Sequence, residues 1–194
     1  MEIIENKFLY LVVLGGRVKK ANIELHDVRW VVGSKIEDTY DTLRNGWFGS
    51  PKGLHIDSYK KIKYLDGYKI NLRNVENLKI NNNKFSNKSK TKKNLWFVNI
   101  GGYNPSSMQE KHEFGLVVAS SSLEAKNKAK SKWLNGCKKK HKDDINSLKN
   151  LVTLDDCELI KKIDNWEIEL LLADNFVEEN NYPDWYGYKK IDNI

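Results

Sequence analysis

Apolar residues fall into short runs along this chain, and the runs recur in the same order in both halves. The first run, FLYLVVL at 8–14, ends at a Gly-Gly pair, and a polar loop leads to a second run within HDVRWVVG at 26–33. Apolar runs of this length, bounded by glycine and polar residues, are typical of strands. The second half contains the same succession, LWFVNIGG at 95–102 followed by HEFGLVVA at 112–119.

A helix and a hairpin are predicted after the second strand of each half. In the first half the spacing i, i+4, i+7, i+11 predicts one apolar helix face, formed by Ile36, Tyr40, Leu43 and Trp47. Ser-x-x-Glu patterns predict capping boxes at the helix starts, Ser34/Glu37 and Ser121/Glu124. Asp66-Gly67 and Asp164-Asn165 predict tight hairpin turns of the primed type.

The two halves align residue by residue. LYLVVLGG at 9–16 matches LWFVNIGG 86 residues later, and the same offset continues without a gap to Asp57. After Asp57 the second half gains 12 residues, and LDGYKINL at 65–72 then aligns with IDNWEIEL at 163–170. The identities at the first offset are Leu9/Leu95, Val12/Val98, Gly15/Gly101, Gly16/Gly102, Glu24/Glu110, His26/His112, Val31/Val117, Val32/Val118, Ser34/Ser120, Trp47/Trp133, Lys52/Lys138, His55/His141 and Asp57/Asp143.

The repeat predicts an α+β fold made by tandem duplication of a β-β-α-β-β unit. We expect antiparallel sheets with the helices on one side and a pseudo-twofold relation between the copies. The predicted organisation is a first repeat at 1–73, a Lys/Asn-rich linker at 74–94, a second repeat at 95–172 and an acidic, aromatic tail at 173–194.

Charge and composition narrow the functional classes. The net charge is +7, yet only four of the 33 basic residues are arginine, the residue that supplies most bidentate base and phosphate contacts. The Lys-rich stretch 126–142 has an acidic counterpart in the first half, so we interpret it as a solvated face. A nucleic-acid-binding module stays open as the less favoured alternative.

Neither a membrane segment nor a disulfide framework is predicted. The longest apolar run is too short to span a bilayer, and the first residues, MEIIENK, lack the basic region of a signal peptide. Two cysteines, Cys137 and Cys157, form no disulfide framework. We therefore expect a cytoplasmic protein without a membrane partner, while the sequence leaves its oligomeric state and any cofactor undetermined.

The candidate chemistry lies in the histidines. The chain has four, all within the repeat, and each has acidic residues nearby. Since side chains two residues apart share one face of a strand, Glu-x-His and His-x-Asp each present two polar groups together. The candidate ligand-binding residues are Glu24, His26, Asp27, His55, Asp57, Glu110, His112, Glu113, His141 and Asp143.

Several interpretations of these residues stay open. The histidines could be structural, bonded to the Gly-Gly loops and turns. They could bind a small polar or anionic ligand, with Glu24, His26, Glu110 and His112 in contact, the His-x-Asp pairs behind them, and the Gly-Gly backbone approaching the ligand. They could hold a metal ion for phosphoester hydrolysis, although no diagnostic metal spacing is present. The aromatic tail, with Tyr182, Trp185, Tyr186 and Tyr188, could instead meet a protein partner or cap its own core.

Several segments also resemble a known family. GGRVKKANIELHDVRWVVG, WFGSPKGLHIDSY, FVNIGGYNP, HEFGLVVA, HKDD and the closing GYKKI are similar to the bacterial family catalogued as domain of unknown function 1543. The resemblance covers nearly the whole chain except the Lys/Asn linker. It implies that the Glu24/His26, His55/Asp57 and His141/Asp143/Asp144 segments are typical of the family, and it implies no activity.

Overall fold

The structure is a computed structural model that describes residues 6–76, 92–133, 139–140, 157–173, 180 and 182–192. Two compact units are present, Met1–Asn81 together with Lys162–Ile194, and Asn82–Lys161. In chain order the elements are β1 Phe8–Gly16, β2 Leu25–Gly33, a 3-10 turn Ile36–Thr39, α1 Tyr40–Gly46, β3 His55–Ile62, β4 Tyr64–Leu65, β5 Tyr68–Asn74, β6 Asn94–Tyr103, β7 Lys111–Ala119, α2 Ser122–Lys132, β8 Lys139–Lys140, β9 Cys157–Ile160, β10 Lys162–Ile163, β11 Trp166–Leu172 and β12 Trp185–Lys190.

The first unit contains a sheet with the strand order β12-β3-β1-β2, and all its pairings are antiparallel. Alternate side chains of β1 point to one face, where Tyr10, Val12 and Leu14 enter the apolar core. The helical segment covers this face with Ile36, Leu43 and Trp47. Burial of such side chains stabilises a fold by roughly 1.5–3 kcal/mol each. The predicted amphipathic stripe therefore faces the core.

The helix start of the first unit differs from the predicted Ser34/Glu37 capping box. Asp38, not Glu37, accepts the backbone N–H groups of Ser34 and Lys35, at 3.0 and 3.2 Å. Glu37 instead pairs with the Lys189 ammonium at 3.0 Å. The Ser34/Glu37 prediction is wrong, because the repeat places Lys35 and Asp38 at the positions equivalent to Ser121 and Glu124.

The second unit contains a sheet with the order β7-β6-β8, and β9 also pairs with β6. The pair Gly101↔His112 reproduces Gly15↔His26, so the two Gly-Gly hairpins have the same register. Helix α2 begins as predicted, because the Ser121 hydroxyl accepts the Glu124 N–H at 3.2 Å.

The insertion of the second half is visible in the pairing. Cys157↔Val98 reproduces Tyr59↔Val12, which means that the offset has already become 98 where β9 begins. Strands β8 and β9 together take the place beside β6 that β3 takes beside β1.

A further sheet of the first unit joins strands from both ends of the chain. Its order is β10-β11-β5-β4, and β5 pairs with β11 over seven residue pairs. The pair Asn71↔Glu169 joins equivalent positions of the two repeats, and Arg73↔Glu167 and Lys69↔Leu171 lie symmetrically on either side. The predicted turn at Asp66-Gly67 is present, with φ angles of 49° and 85° that match a type I′ turn.

The described chain is thus mostly antiparallel sheet with few helices. No helix among the described residues is both long and apolar enough to cross a membrane. Most of the predicted linker, residues 77–91, lies outside the described residues.

Candidate functional site

The register of the first sheet brings two histidines to one glycine. Gly15 on the central strand β1 pairs with His26 on β2 and with His55 on β3. Residues directly opposite each other in an antiparallel sheet point to the same face. Both imidazoles therefore lie on the face of the sheet towards which a side chain at position 15 would point.

A β-bulge adds an acid to this pair. Ser58 pairs with Val13 and Ile56 with Leu14, which leaves Asp57 as the extra residue of β3. Bulges redirect side chains locally. Here the bulge residue points its carboxylate between the two imidazoles.

Four side chains meet at this place, and we call them the His–carboxylate cluster: Glu24, His26, His55 and Asp57. The two Asp57 oxygens lie 3.1 Å from His26 Nε2 and 3.2 Å from His55 Nε2. The two Glu24 oxygens lie 3.7 and 3.8 Å from the same nitrogens. Each carboxylate thus bridges both imidazoles. The Glu-x-His and His-x-Asp motifs of the first repeat therefore lie together in one cluster, and the His-x-Asp pair does not form a separate layer behind the Glu-x-His pair.

His55 is the buried member of the cluster. It is 1% exposed, and its ring lies against the Tyr188 ring with centroids 4.0 Å apart. Its Nδ1 lies 2.8 Å from the Gly53 carbonyl oxygen, which can only accept, so Nδ1 carries the proton. In the neutral ring Nε2 is then an acceptor, and it has no hydrogen-bond partner within the described chain.

Gly15 is required by this arrangement. A Cβ atom at this position would lie 2.5 Å from His55 Nε2 and 3.0 Å from Asp57 Oδ2. At Gly16 a Cβ would lie 2.8 Å from the Trp47 ring. The Gly-Gly pair, predicted to let backbone approach a ligand, here lets it approach the His55 and Trp47 side chains.

Residues near the end of the chain form hydrogen bonds with the loop that precedes His55. Asp192 accepts the Gly53 N–H at 2.8 Å, and the Ile191 N–H donates to the Leu54 carbonyl at 3.0 Å. Ile191 lies in the core and Trp185 packs against it, whereas three tail tyrosines are exposed, Tyr182, Tyr186 and Tyr188. Sequence reasoning missed the roles of Gly53, Tyr188 and Asp192, because contacts across more than 130 residues leave no local pattern.

Asp27 does not join the cluster. Adjacent strand residues point to opposite faces, and its carboxylate pairs with Arg29 and accepts the Val28 N–H at 2.9 Å. The predicted site residue Asp27 therefore lies near His26 in sequence but faces away from it.

The second unit shows part of the equivalent arrangement. Glu110 lies 3.4 Å from His112 Nε2, and the Asn99 amide nitrogen lies 3.4 Å from His112 Nδ1. Glu113 is exposed on β7. His141 and Asp143, the predicted partners of this pair, lie outside the described residues.

Comparison with known proteins identifies the relatives of this chain. The family model described as Domain of Unknown Function (DUF1543) matches residues 21–72 and 107–170, which together make up more than half of the sequence. The chain belongs to the DUF1543 family. The predicted resemblance is thereby confirmed, and the two matched regions agree with a duplication in this DUF1543 protein.

A solved structure supports the fold of the family member. The chain is similar to "Crystal structure of a protein Il1583 from Idiomarina loihiensis", with 32% sequence identity and a TM-score of 0.65. The similarity covers 96% of this chain and 99% of that one. No curated protein matches the chain.

Proposed function

We propose that this DUF1543 protein is a binding module, and that its His–carboxylate cluster holds a small polar ligand that donates hydrogen bonds. The observation that carries the proposal is His55 Nε2, a buried nitrogen without a hydrogen-bond partner in the described chain, which would accept one in the Nδ1-protonated neutral ring. A buried polar atom left in this state costs roughly 1–3 kcal/mol. A hydroxyl or amine donor from a ligand would remove that cost.

The charge of the cluster favours a donor over an anion. Among the described residues, only the two imidazoles lie within ion-pair distance of Glu24 and Asp57, and an imidazole forms an ion pair only when it is protonated. When both imidazoles are neutral, the cluster carries two negative charges. An anionic ligand would be repelled, whereas a hydroxyl-rich or amine-bearing molecule would meet acceptors on every side.

We also propose that the chain arose by duplication of one structural unit. The two repeats, at 1–73 and 95–172, are copies of one β-β-α-β-β unit with a pseudo-twofold relation, separated by the linker at 74–94 and followed by the tail at 173–194. The shared register of the Gly-Gly hairpins and the equivalent pair Asn71↔Glu169 support this interpretation. Glu110 and His112 would then be the counterpart of the Glu24/His26 part of the site.

Metal-assisted phosphoester hydrolysis is the second candidate, because imidazole and carboxylate are the donors that divalent ions take. As the side chains stand, no group of three or more His, Cys, Asp or Glu within the described residues is arranged to hold an ion. A metal ion at the cluster would therefore require these side chains to move. A ligand atom that reaches the buried His55 Nε2 would also require some movement.

A thermal-shift screen of wild type, Glu24→Gln and the control Glu158→Gln, an exposed carboxylate outside the proposed site, tests the ligand. The probes are ribose, glucose, ethanolamine, Zn²⁺ and Mn²⁺. A ligand at 100 times its Kd stabilises by roughly 2.7 kcal/mol, so binding raises Tm measurably. We expect a shift with a hydroxyl or amine probe that is lost in Glu24→Gln and kept in Glu158→Gln.

Other outcomes separate the alternatives. A shift with Zn²⁺ or Mn²⁺ alone, reversed by a chelator, would favour the metal site. Imidazole ¹⁵N spectra of the ligand-free protein provide an independent check, with His55 expected to be protonated at Nδ1 and unprotonated at Nε2. The opposite tautomer would remove the observation on which the proposal depends.

A further inference from the structure

A second concave site lies on the same unit, at the opposite end of β1 from the His–carboxylate cluster. This cleft has a volume of about 690 Å³, within the usual range for small-molecule sites. Four lysines line it, and we call it the lysine cleft: Lys35, Lys60, Lys61 and Lys63. Tyr10 also lines it, five residues before Gly15 along the strand, which corresponds to about 16 Å. The two sites are therefore distinct.

The carboxylates at the lysine cleft are already engaged. Glu37 accepts a hydrogen bond from Lys189 at 3.0 Å, and this bond lowers the pKa of the Glu37 carboxyl. Asp184 accepts the Lys61 backbone N–H at 2.7 Å. Among the described lining residues, two acids thus stand against four lysines, and one of the two is neutralised by a fifth lysine from outside the lining.

The lysines keep donors for a ligand. Lys60 donates one hydrogen bond to the Tyr182 carbonyl, at 3.0 Å, out of the three that an ammonium can make. Lys61 lies 4.4 Å from the centre of the Phe8 ring. Lys35 and Lys63 are exposed at the rim. A strongly cationic rim, whose ammonium groups can still donate hydrogen bonds, favours a multiply charged anion.

The floor of the lysine cleft is formed by buried side chains. Tyr10 and Ile36 are almost fully buried there, at 2% and 5% exposure. Burial raises the pKa of the Tyr10 hydroxyl to about 12, so it remains a neutral donor, and it lies 3.4 Å from the Ser34 carbonyl. The Tyr59 ring stacks on Trp185 with centroids 6.0 Å apart. Tyr10 and Ile36 thus close the bottom of the cleft and expose little apolar surface to a ligand, so the polar and charged groups of the lining determine what binds.

We infer that the lysine cleft binds a small molecule that carries a phosphate group, with the lysine ammonium groups around the phosphate. Lysine binds phosphate as a point charge and a multiple donor, which suits an open rim. This inference is independent of the function proposed for the His–carboxylate cluster.

Isothermal titration calorimetry with inorganic pyrophosphate, at low ionic strength, tests the phosphate part of this site. The variant Lys35→Gln/Lys63→Gln removes the two exposed rim charges. The matched control is Lys69→Gln/Lys162→Gln, which removes two exposed lysines of the same unit that do not line the cleft. We expect the rim variant to weaken binding at least about tenfold, since charge-assisted hydrogen bonds are lost, and the control to change Kd less than about twofold.

Two results would overturn the inference. One is the absence of measurable pyrophosphate binding by the wild-type protein. The other is an equal weakening in the rim and control variants, which would indicate attraction to the net positive charge of the whole chain. Circular dichroism confirms that both variants are folded before the titration, as expected for exposed lysines.

Discussion

At the scale of single residues, the His–carboxylate cluster depends on a glycine that makes no polar contact itself. Gly15 gives the His55 imidazole its place, because any side chain there would occupy the same space. The Gly-Gly pair is recognisable in the sequence, where it predicts close approach of the backbone to a ligand. The sequence does not indicate that the close neighbour of Gly15 is His55, because this depends on which strand pairs with β1.

Gly15→Ala is therefore expected to lower the free energy of unfolding by about 1–3 kcal/mol, since the new methyl group overlaps His55 Nε2. Urea unfolding followed by circular dichroism measures the change. The control is Gly46→Ala at the end of α1, where a Cβ would meet only Arg29 atoms at 4.0 Å. Alanine should be neutral there, or stabilising by up to about 1 kcal/mol. Equal effects at both positions would contradict the crowding described at Gly15.

At the scale of elements, the sequence predicted what is local and missed what is distant. The strands beside each Gly-Gly pair, the Asp66-Gly67 turn and the Ser121 cap follow from neighbouring residues and are present, whereas the Ser34/Glu37 cap is not. The bulge at Asp57 brings its carboxylate to the two imidazoles, and no residue pattern in the sequence predicts the bulge. The pairing of β5 with β11 was also not predicted, because it joins strands almost 100 residues apart.

The start of α2 provides a pH test. Hydrogen bonds from the Lys93 ammonium and from Ser120 lower the pKa of the Glu124 carboxyl to about 2. Since the folded pKa lies below the unfolded value of about 4.3, the ionised group stabilises the fold above that value. This contribution is lost as the pH falls towards 2.

We therefore expect Glu124→Gln to be less stable than wild type at pH 7, and the difference to shrink steadily between about pH 4.5 and 2. Urea midpoints across this range measure it. The matched variant Glu158→Gln removes an exposed carboxylate of the same unit and should not reproduce the trend. A difference between Glu124→Gln and wild type that is constant with pH would show that the loss has another cause.

At the scale of the whole molecule, the described contacts join the beginning of the chain to its end. Strand β12 completes the first sheet beside β3, and β11 pairs with β5. Arg73 and Asn71 of β5 bond to Glu167 and Glu169 of β11, at 2.9 and 2.8 Å. Ile191 enters the core of the first unit. Sequence boundaries between the repeats are therefore not boundaries between compact units.

Cutting the chain between the repeats should leave the two fragments associated. A site-specific protease sequence in place of residues 84–89 allows the cut. We expect both fragments to elute together on size-exclusion chromatography under native conditions, because the β5–β11 and β3–β12 pairings hold them. In denaturant the fragments should separate. Separation without denaturant would contradict the pairings described between the two ends of the chain.

The Asn71↔Glu169 contact also has a consequence for the origin of such a chain. It joins the same position of two copies, and the flanking pairs are exchanged symmetrically around it. Two independent polypeptides, each with a single copy, could form this contact with each other as an isologous homodimer. End-to-end gene fusion would then turn the dimer into one polypeptide, with each hairpin still held by its former partner and each half released from the requirement to remain identical.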